Sequence, residues 1–243
     1  MLQKEKYLQT TFNFVIDRKI EMRRLANEIE DELKDHYMQP QINSIPDDIE
    51  PGIPRIIFTS KNSHSTVLFS QFNISLDILY DENFILEEKK KYLYERIELL
   101  KNIIKKFGMK INFMGLTTVA TIPTSKEFSI ECIKKKYLKN QDTLNVDEVS
   151  YKEAKIIDEK YYANILVESY KLWDYNYTPI SEPRSLSSLD CKEYGIKLTV
   201  DFNDRYLFNE KKGYISSVSE VDAIINKNFN ILEEQVEFLK RGE

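Results

Sequence analysis

Glycine and proline are scarce in this chain, six and seven among 243 residues. The shortage speaks against glycine-rich phosphate loops and against long flexible linkers. Cysteine is scarcer still, with only Cys132 and Cys191 and no Cys-x-x-Cys spacing. Free thiols in a reducing cytoplasm fit that usage, and one disulfide stays open. The two histidines, His36 and His64, fall on different elements. A zinc site needs three or four nitrogen or sulfur ligands, and no such set is paired here, so neither a metal nor a cofactor is expected. Apolar runs are only a few residues long, far short of a membrane span. The opening Met1-Leu-Gln-Lys-Glu-Lys-Tyr has no apolar leader region. Gly-x-Ser-x-Gly and Gly-x-x-x-x-Gly-Lys signatures are missing as well.

Charge excludes a further class. Thirty-five basic against forty acidic residues leave a net charge of −5, which gives no overall attraction to nucleic acid or anionic lipid. The hydrophobic share of 42% and charged share of 31% are those of a globular protein. Folding of a chain this long buries about 70–75% of its unfolded surface, so no covalent staple is needed.

What is present is periodicity. Leu8, Thr10, Phe12, Phe14 and Ile16 alternate with Gln9, Thr11 and Asn13. Phe72, Ile74, Leu76, Ile78 and Tyr80 alternate with Asn73, Ser75 and Asp77, and Ile196, Leu198, Val200 and Phe202 with Lys197, Thr199 and Asp201. Successive strand residues point to opposite faces, so each segment reads as a strand with one buried and one polar side, the mark of antiparallel sheet. Helical spacing appears at Met22, Leu25, Ile29 and Leu33, and at Leu93, Ile97, Leu100, Ile104 and Phe107 with Gly108 as C-cap. It returns at Val218, Val221, Ile225, Phe229, Leu232, Val236 and Leu239, capped by Ser217 or Ser219. Further strands are expected at 55–59 and 66–71, around the Asn62-Ser63-His64 turn, and at 109–122, with a helix at 125–138. Segment 149–173 reads as a helical stripe on Ala154, Ile157, Tyr161 and Ile165, or as a hairpin turning at Asp158-Glu159-Lys160. Its tyrosine and β-branched content favours the hairpin. The expected fold is α+β: a mainly antiparallel, curved sheet with helices on one face. It forms one domain over 1–243 with two loosely similar halves, 1–123 and 124–243.

Fifteen tyrosines is a high count, and Tyr170, Trp173, Tyr175 and Tyr177 crowd one stretch. Each joins an apolar ring to a polar handle, which suits interfaces, so these four form a candidate binding surface. The plainer reading is a sheet whose tyrosines rim the core. Asp174 with Asp190-Cys-Lys192 has the acid–acid–lysine content used by metal-dependent nucleases to hold Mg²⁺ and activate water. Asp147, Glu153 and Lys155 form a second match of that kind, and the favoured reading of such matches is a solvated strand face with cross-strand ion pairs. Arg23-Arg24, residues 89–91 and Lys105-Lys106 have carboxylates close by and read as helix surface. Lys134, Lys135 and Lys136, with Tyr137 and Lys139, are the densest basic run and the candidate for phosphate contact. Cys132 reads as a buried thiol, and Cys191 beside Lys192 as the more easily ionised one. His64 reads as a solvated turn residue.

The order of elements resembles a sporadically distributed bacterial family of about this length whose function is unassigned. The likeness rests on a strand at Thr10–Asp17, a proline-bearing entry at Pro51–Ser60 and a strand at Asn73–Leu79. It continues through a helix to a strand bearing Gly115-Leu116, then a strand at Gly195–Phe202 and a long last helix. Members usually read Gly-Leu-Arg-Tyr where this chain has Gly115-Leu116-Thr117-Thr118. The resemblance implies no catalytic residue, and its patchy distribution implies genes on mobile elements, phage-defence systems among them. The expectation is a non-catalytic, cytoplasmic interaction protein that binds another protein, with no membrane engaged and a homo-oligomer admitted. Nucleic-acid contact is confined to Lys134–Lys139. The alternative is a metal-dependent nuclease or phosphodiesterase using Asp174, Asp190 and Lys192.

Overall fold

The computed structural model describes residues 1–81, 83–138, 146–173 and 191–241. Its frame is an antiparallel sheet of nine strands: β1 (Lys6–Ile16), β2 (Gln41–Ile42), β3 (Ile56–Thr59), β4 (Ser65–Phe69), β5 (Asn73–Leu79), β6 (Ile111–Thr124), β7 (Ser150–Ile157), β8 (Tyr161–Trp173) and β9 (Cys191–Asn203). Their order across the sheet is β2-β3-β4-β5-β1-β6-β9-β8-β7. The helices are α1 (Ala26–Leu33), α2 (Leu86–Lys106), α3 (Lys126–Ile133), α4 (Arg205–Glu210) and α5 (Val221–Lys240). A 3₁₀ turn at Met22–Leu25 leads into α1, and a π turn at Lys134–Leu138 continues α3. The α+β class read from the periodicity is therefore the observed one; β2 and α4 are too short to have left a periodic signal.

Alternation holds where the ladder is regular and fails where it is not. Phe12, Phe14 and Ile16 point into the core, as do Ile74, Leu76, Ile78 and Tyr80, and Ile196, Leu198, Val200 and Phe202. Leu8 departs from its expected inward position. The β1–β6 register slips between Tyr7 and Gln9, so Leu8 is the extra residue of a bulge and Tyr7 takes the buried place. One inserted residue inverts a period of two. Phe72 departs too, because it precedes β5 in the turn that Ser70 closes by accepting from Asn73 N–H at 2.9 Å. It is 37% exposed.

Residues 149–173 form the hairpin, β7 against β8, with Ile157 opposite Tyr161. Asp158 and Glu159 adopt φ of 53° and 48°, left-handed conformations that a continuing right-handed helix does not contain. The close of α2 shows a second local rule. Gly108 sits at φ 58°, its N–H donates to Lys105 O at 3.2 Å, and Met109 N–H donates to Ile104 O at 3.0 Å. That is the paired closure of a Schellman ending. Ser217 caps the turn into α5 by accepting from Ser219 N–H, and Ser125 caps α3 by accepting from Phe128 N–H at 3.3 Å.

The core lies between one sheet face and α1, α2, α3 and α5. Two polar side chains are built into it. Asn228, enclosed on α5, donates through Nδ2 to Leu116 O at 2.7 Å and Val200 O at 2.9 Å. Arg55 is fully enclosed and donates to Ile53 O at 2.7 Å and Ile49 O at 2.9 Å, and to Pro46 O and Glu50 O at 3.3 Å each. A proline-bearing entry loop with few backbone partners of its own thus gathers its carbonyls around one cation.

The connectivity repeats. β1 is followed by α1 and then by β3, β4 and β5, which return to pair with β1; β6 is followed by α3 and then by β7, β8 and β9, which return to pair with β6. A long helix closes each run, α2 in the first and α5 in the second. β1 and β6 pair with each other at the centre, so the two runs face each other across that seam. The second run begins at β6.

Candidate functional site

The same alternation that buries Phe12 and Phe14 turns Thr11 and Asn13 to the opposite face of the sheet. Among the described residues only α4 packs there, at one end, with Phe208 against Phe113 at 5.3 Å and Tyr206 against Tyr162 at 5.4 Å. Register then arranges the open face into rows. The central row reads Thr59, Thr66, Asp77, Thr11, Thr117, Asp201, Asn164 and Ala154 from β3 to β7.

Thr11 and Thr117 meet at the seam. Thr11 Oγ1 donates to Asp77 Oδ1 at 2.7 Å, and Thr117 Oγ1 donates to Asp201 Oδ1 at 3.5 Å. Each run of the topology therefore supplies one Thr–Asp pair, the threonine on its first strand and the acid on its last. Asp201 Oδ2 also accepts from Asn164 Nδ2 at 2.9 Å and Asn203 Nδ2 at 3.0 Å. Both carboxylates are half-buried. Three inter-strand gaps separate them, roughly 14 Å, too far to share one ion. Among the described residues the other acids on the strands of this face are neutralised: Glu168 by Lys197 and Glu193 by Lys6, each at 2.8 Å.

Beside the row lies a cavity of about 280 Å³ whose walls include Asn13, Asn73, Phe72, Phe113, Asn203 and Arg205. Gly115 forms part of its floor. A Cβ there would come within 2.6 Å of Asn203 Cβ, so β6 and β9 approach as they do only because that position is glycine.

The residues singled out from sequence are dispersed. Tyr170 lies at the far end of the open face, its ring over Gly195, where a Cβ would meet it at 2.6 Å. Its hydroxyl donates to Glu193 Oε1 at 2.5 Å; burial and then that carboxylate raise its pKa well above the usual tyrosine value. Tyr170 is thus committed to the sheet. Trp173 is half-buried opposite Cys191. Tyr175, Tyr177, Asp174, Asp190 and Lys139 lie outside the described residues, and Lys192 is exposed on β9.

The basic run does not act as a unit. Lys134 is buried, Lys135 is exposed, and Lys136 Nζ donates to Phe238 O at 3.0 Å and to Arg241 O, carbonyls at the negative end of α5. Tyr137 Oη donates to Gln235 Oε1 at 3.0 Å and its ring stacks on Tyr151 at 4.9 Å. Lys89, expected on the helix surface, is buried instead, donating to Tyr7 O at 2.9 Å and lying 5.4 Å over the Tyr80 ring. Its methylene stem reaches past the helix edge into an aromatic pocket. His64 is half-buried rather than solvated, 5.5 Å from the Phe84 ring and 6.4 Å from that of Tyr92.

The second acid–lysine match resolves into ion pairs. Asp147 accepts from Lys126 at 2.6 Å and Lys171 at 2.5 Å, which hold its pKa down at about 2. Glu153 pairs with Lys155 at 3.1 Å. Cys132 is buried and Cys191 half-exposed, and neither is bridged. Among the described residues no three or more His, Cys, Asp or Glu side chains converge as metal ligands, and no helix is long and apolar enough to cross a membrane.

The Asp77–Thr11–Thr117–Asp201 row was missed in the sequence. A signal existed: the two cleanest alternating segments, 72–80 and 196–202, each carry one acid among their polar positions, Asp77 and Asp201. No protein-family model and no curated protein matches the chain.

Proposed function

We propose that this chain is a non-catalytic binding protein that presents the sheet face opposite its core, covered among the described residues only by α4 at one end, to a protein partner. The observation that carries this reading is the face itself. Seven gaps between the eight strands of the central row span roughly 34 Å, and about five residues along the strands add roughly 17 Å, giving on the order of 600 Å². That is the low end of what each partner contributes to a standard interface. Its centre carries Thr11, Asn13, Ser75, Thr117, Asn164 and Thr199 among aliphatic and charged residues, so short hydrogen-bonding side chains stand there in fixed register at low cost in conformational entropy. The core is complete on the other face. Contacts here can therefore serve recognition without being needed for folding.

Site-specific photo-crosslinking tests the reading in cells of the native host. A photoreactive residue at Asn164, on the open face, is expected to capture a discrete protein, and one at Glu95, exposed on α2, is expected not to. Capture from Glu95 alone would put the interface on the helix layer and reject the proposal.

A further inference from the structure

We propose that the open face takes an extended polypeptide segment carrying two cationic side chains four residues apart, an inference that rests on the face being a protein-binding surface. The starting point is an imbalance of charge. On the open side of β5, β1, β6 and β9, Glu193 and Lys197 are neutralised by Lys6 and Glu168. Asp77 and Asp201 have no cationic partner among the described residues. Neutral donors hold each of them: the Thr11 hydroxyl on Asp77, and the Thr117 hydroxyl with the Asn164 and Asn203 amides on Asp201. Those donors orient the carboxylates yet supply no positive charge. The centre of the face is left with two aimed, uncompensated acids. The nearest cation of α4, Arg205, is turned over the Phe113 ring at 5.3 Å.

Geometry selects the ligand. The two acids share one cross-strand row, so the line between them runs at right angles to the strands, roughly 14 Å long. An extended chain advances ~3.4 Å per residue with a period of two. Residues i and i+4 therefore point the same way about 14 Å apart. In a helix that distance corresponds to about nine residues, which lie on opposite sides of the cylinder. The intervening residue i+2 would stand over the Thr11/Thr117 seam, where a small polar side chain fits. Arginine suits the Asp77 end because its planar fork can engage a carboxylate through two N–H bonds, and at Asp201, whose Oδ2 already accepts two amides, one N–H can reach Oδ1. A nucleic acid would instead bring its phosphates toward Asp77 and Asp201, against their charge.

The test uses the full chain and a fluorescein-labelled heptapeptide with arginines at its second and sixth positions in a glycine–threonine background, read by anisotropy at low salt. Asp77→Asn and Asp201→Asn keep side-chain shape, and unchanged Tm values would show that both variants are folded. Each is expected to weaken binding about tenfold, the size of one charge-assisted contact. Glu95→Gln, which removes a distant acid of the same charge, is expected to leave affinity unchanged. A peptide with adjacent arginines should bind the wild type no better than the single-site variants bind the spaced one. Equal affinity of wild type and both Asn variants, indifference to spacing, or preference for a single- or double-stranded oligonucleotide would overturn the proposal. Capture of a protein from Asn164 combined with a peptide indifferent to Asp77 and Asp201 would reject this inference alone. Capture only from Glu95 would remove the binding-face reading as well.

Discussion

Replacing Asp204 with alanine and with asparagine separates two contributions that one buried carboxylate makes to this fold. Asp204 is fully enclosed at the end of β9. Its Oδ1 accepts from Met114 N–H at 2.7 Å, and its Oδ2 accepts from Tyr214 Oη at 2.9 Å and from Ser216 Oγ. The group thus ties the chain between α4 and α5 to the start of β6. Alanine leaves the Met114 N–H buried without an acceptor, about 1–3 kcal/mol, and loses two hydroxyl bonds, for a total of about 2–4 kcal/mol. For a domain of this size that is a fall in Tm of about 5–15 °C. Asparagine keeps an acceptor for Met114, and both hydroxyls can rotate to accept from its amide, so the loss at neutral pH should stay below about 1.5 kcal/mol.

The pH dependence supplies the sharper test. Desolvation by burial raises the Asp204 pKa above the ordinary 3.8, although the Ser216, Met114 and Tyr214 hydrogen bonds pull it back. The folded state therefore holds its proton more tightly than the unfolded chain. Between the ordinary and the raised value the folded state binds more protons, so this group's contribution to stability falls as pH rises through that window and levels off above it. Thermal melts of wild type and Asp204→Asn at matched ionic strength, from about pH 7 down to about pH 4, isolate the effect. Wild type should gain on the asparagine variant as the pH falls. A constant difference, or a wild type that loses ground on acidification, would refute the assignment of burial as the dominant influence.

Further substitutions probe local geometry. Gly195→Ala places a Cβ 2.4 Å from Ile122 O and 2.6 Å from the Tyr170 ring, and should cost about 1–3 kcal/mol in chemical denaturation. Adding Tyr170→Ala should recover little, because the backbone carbonyl stays in place. Gly108→Ala meets nothing within 4 Å, so its cost should be purely conformational, about 1 kcal/mol, with Gly108→Asn costing less. Asn228→Leu removes the bonds that Nδ2 donates to Leu116 O and Val200 O, carbonyls that also accept in the β6 and β9 ladders. It should destabilise by about 1–3 kcal/mol in urea titration, and a neutral result would mean that the ladder bonds alone satisfy those carbonyls.

Much of the fold was legible because its signals are local. Periods of two and of three to four mark which side of an element is apolar, and Gly108, Ser125 and Ser217 mark ends through conformational and hydrogen-bonding preferences that act within a few residues. Where the reading failed, the cause was an event no period records. The bulge at Leu8 inverts alternation, the turn at Phe72 takes an apolar residue out of the strand, and the Lys89 stem reaches an aromatic pocket built by β1 and the end of β5. The site was less legible than the fold. A cluster of aromatics in sequence drew attention to Tyr170, yet Gly195 lies directly beneath that ring, and glycine opposite an aromatic across strands is a pairing that distant residues decide.

The amino-acid sequence by itself determined that this is an α+β protein with antiparallel strands at β1, β5 and β9 and helices at α1, α2 and α5, since backbone preference and apolar spacing act within each segment. It also placed Thr11, Asp77 and Asp201, though not Thr117, among polar, outward positions. Only the tertiary structure decided that these four stand in one row across a central seam. That row depends on pairing between segments 66 and 84 residues apart, Thr11 with Asp77 and Thr117 with Asp201. Register across such distances is settled by burial of the opposite face, a property of the assembled sheet and of no single strand.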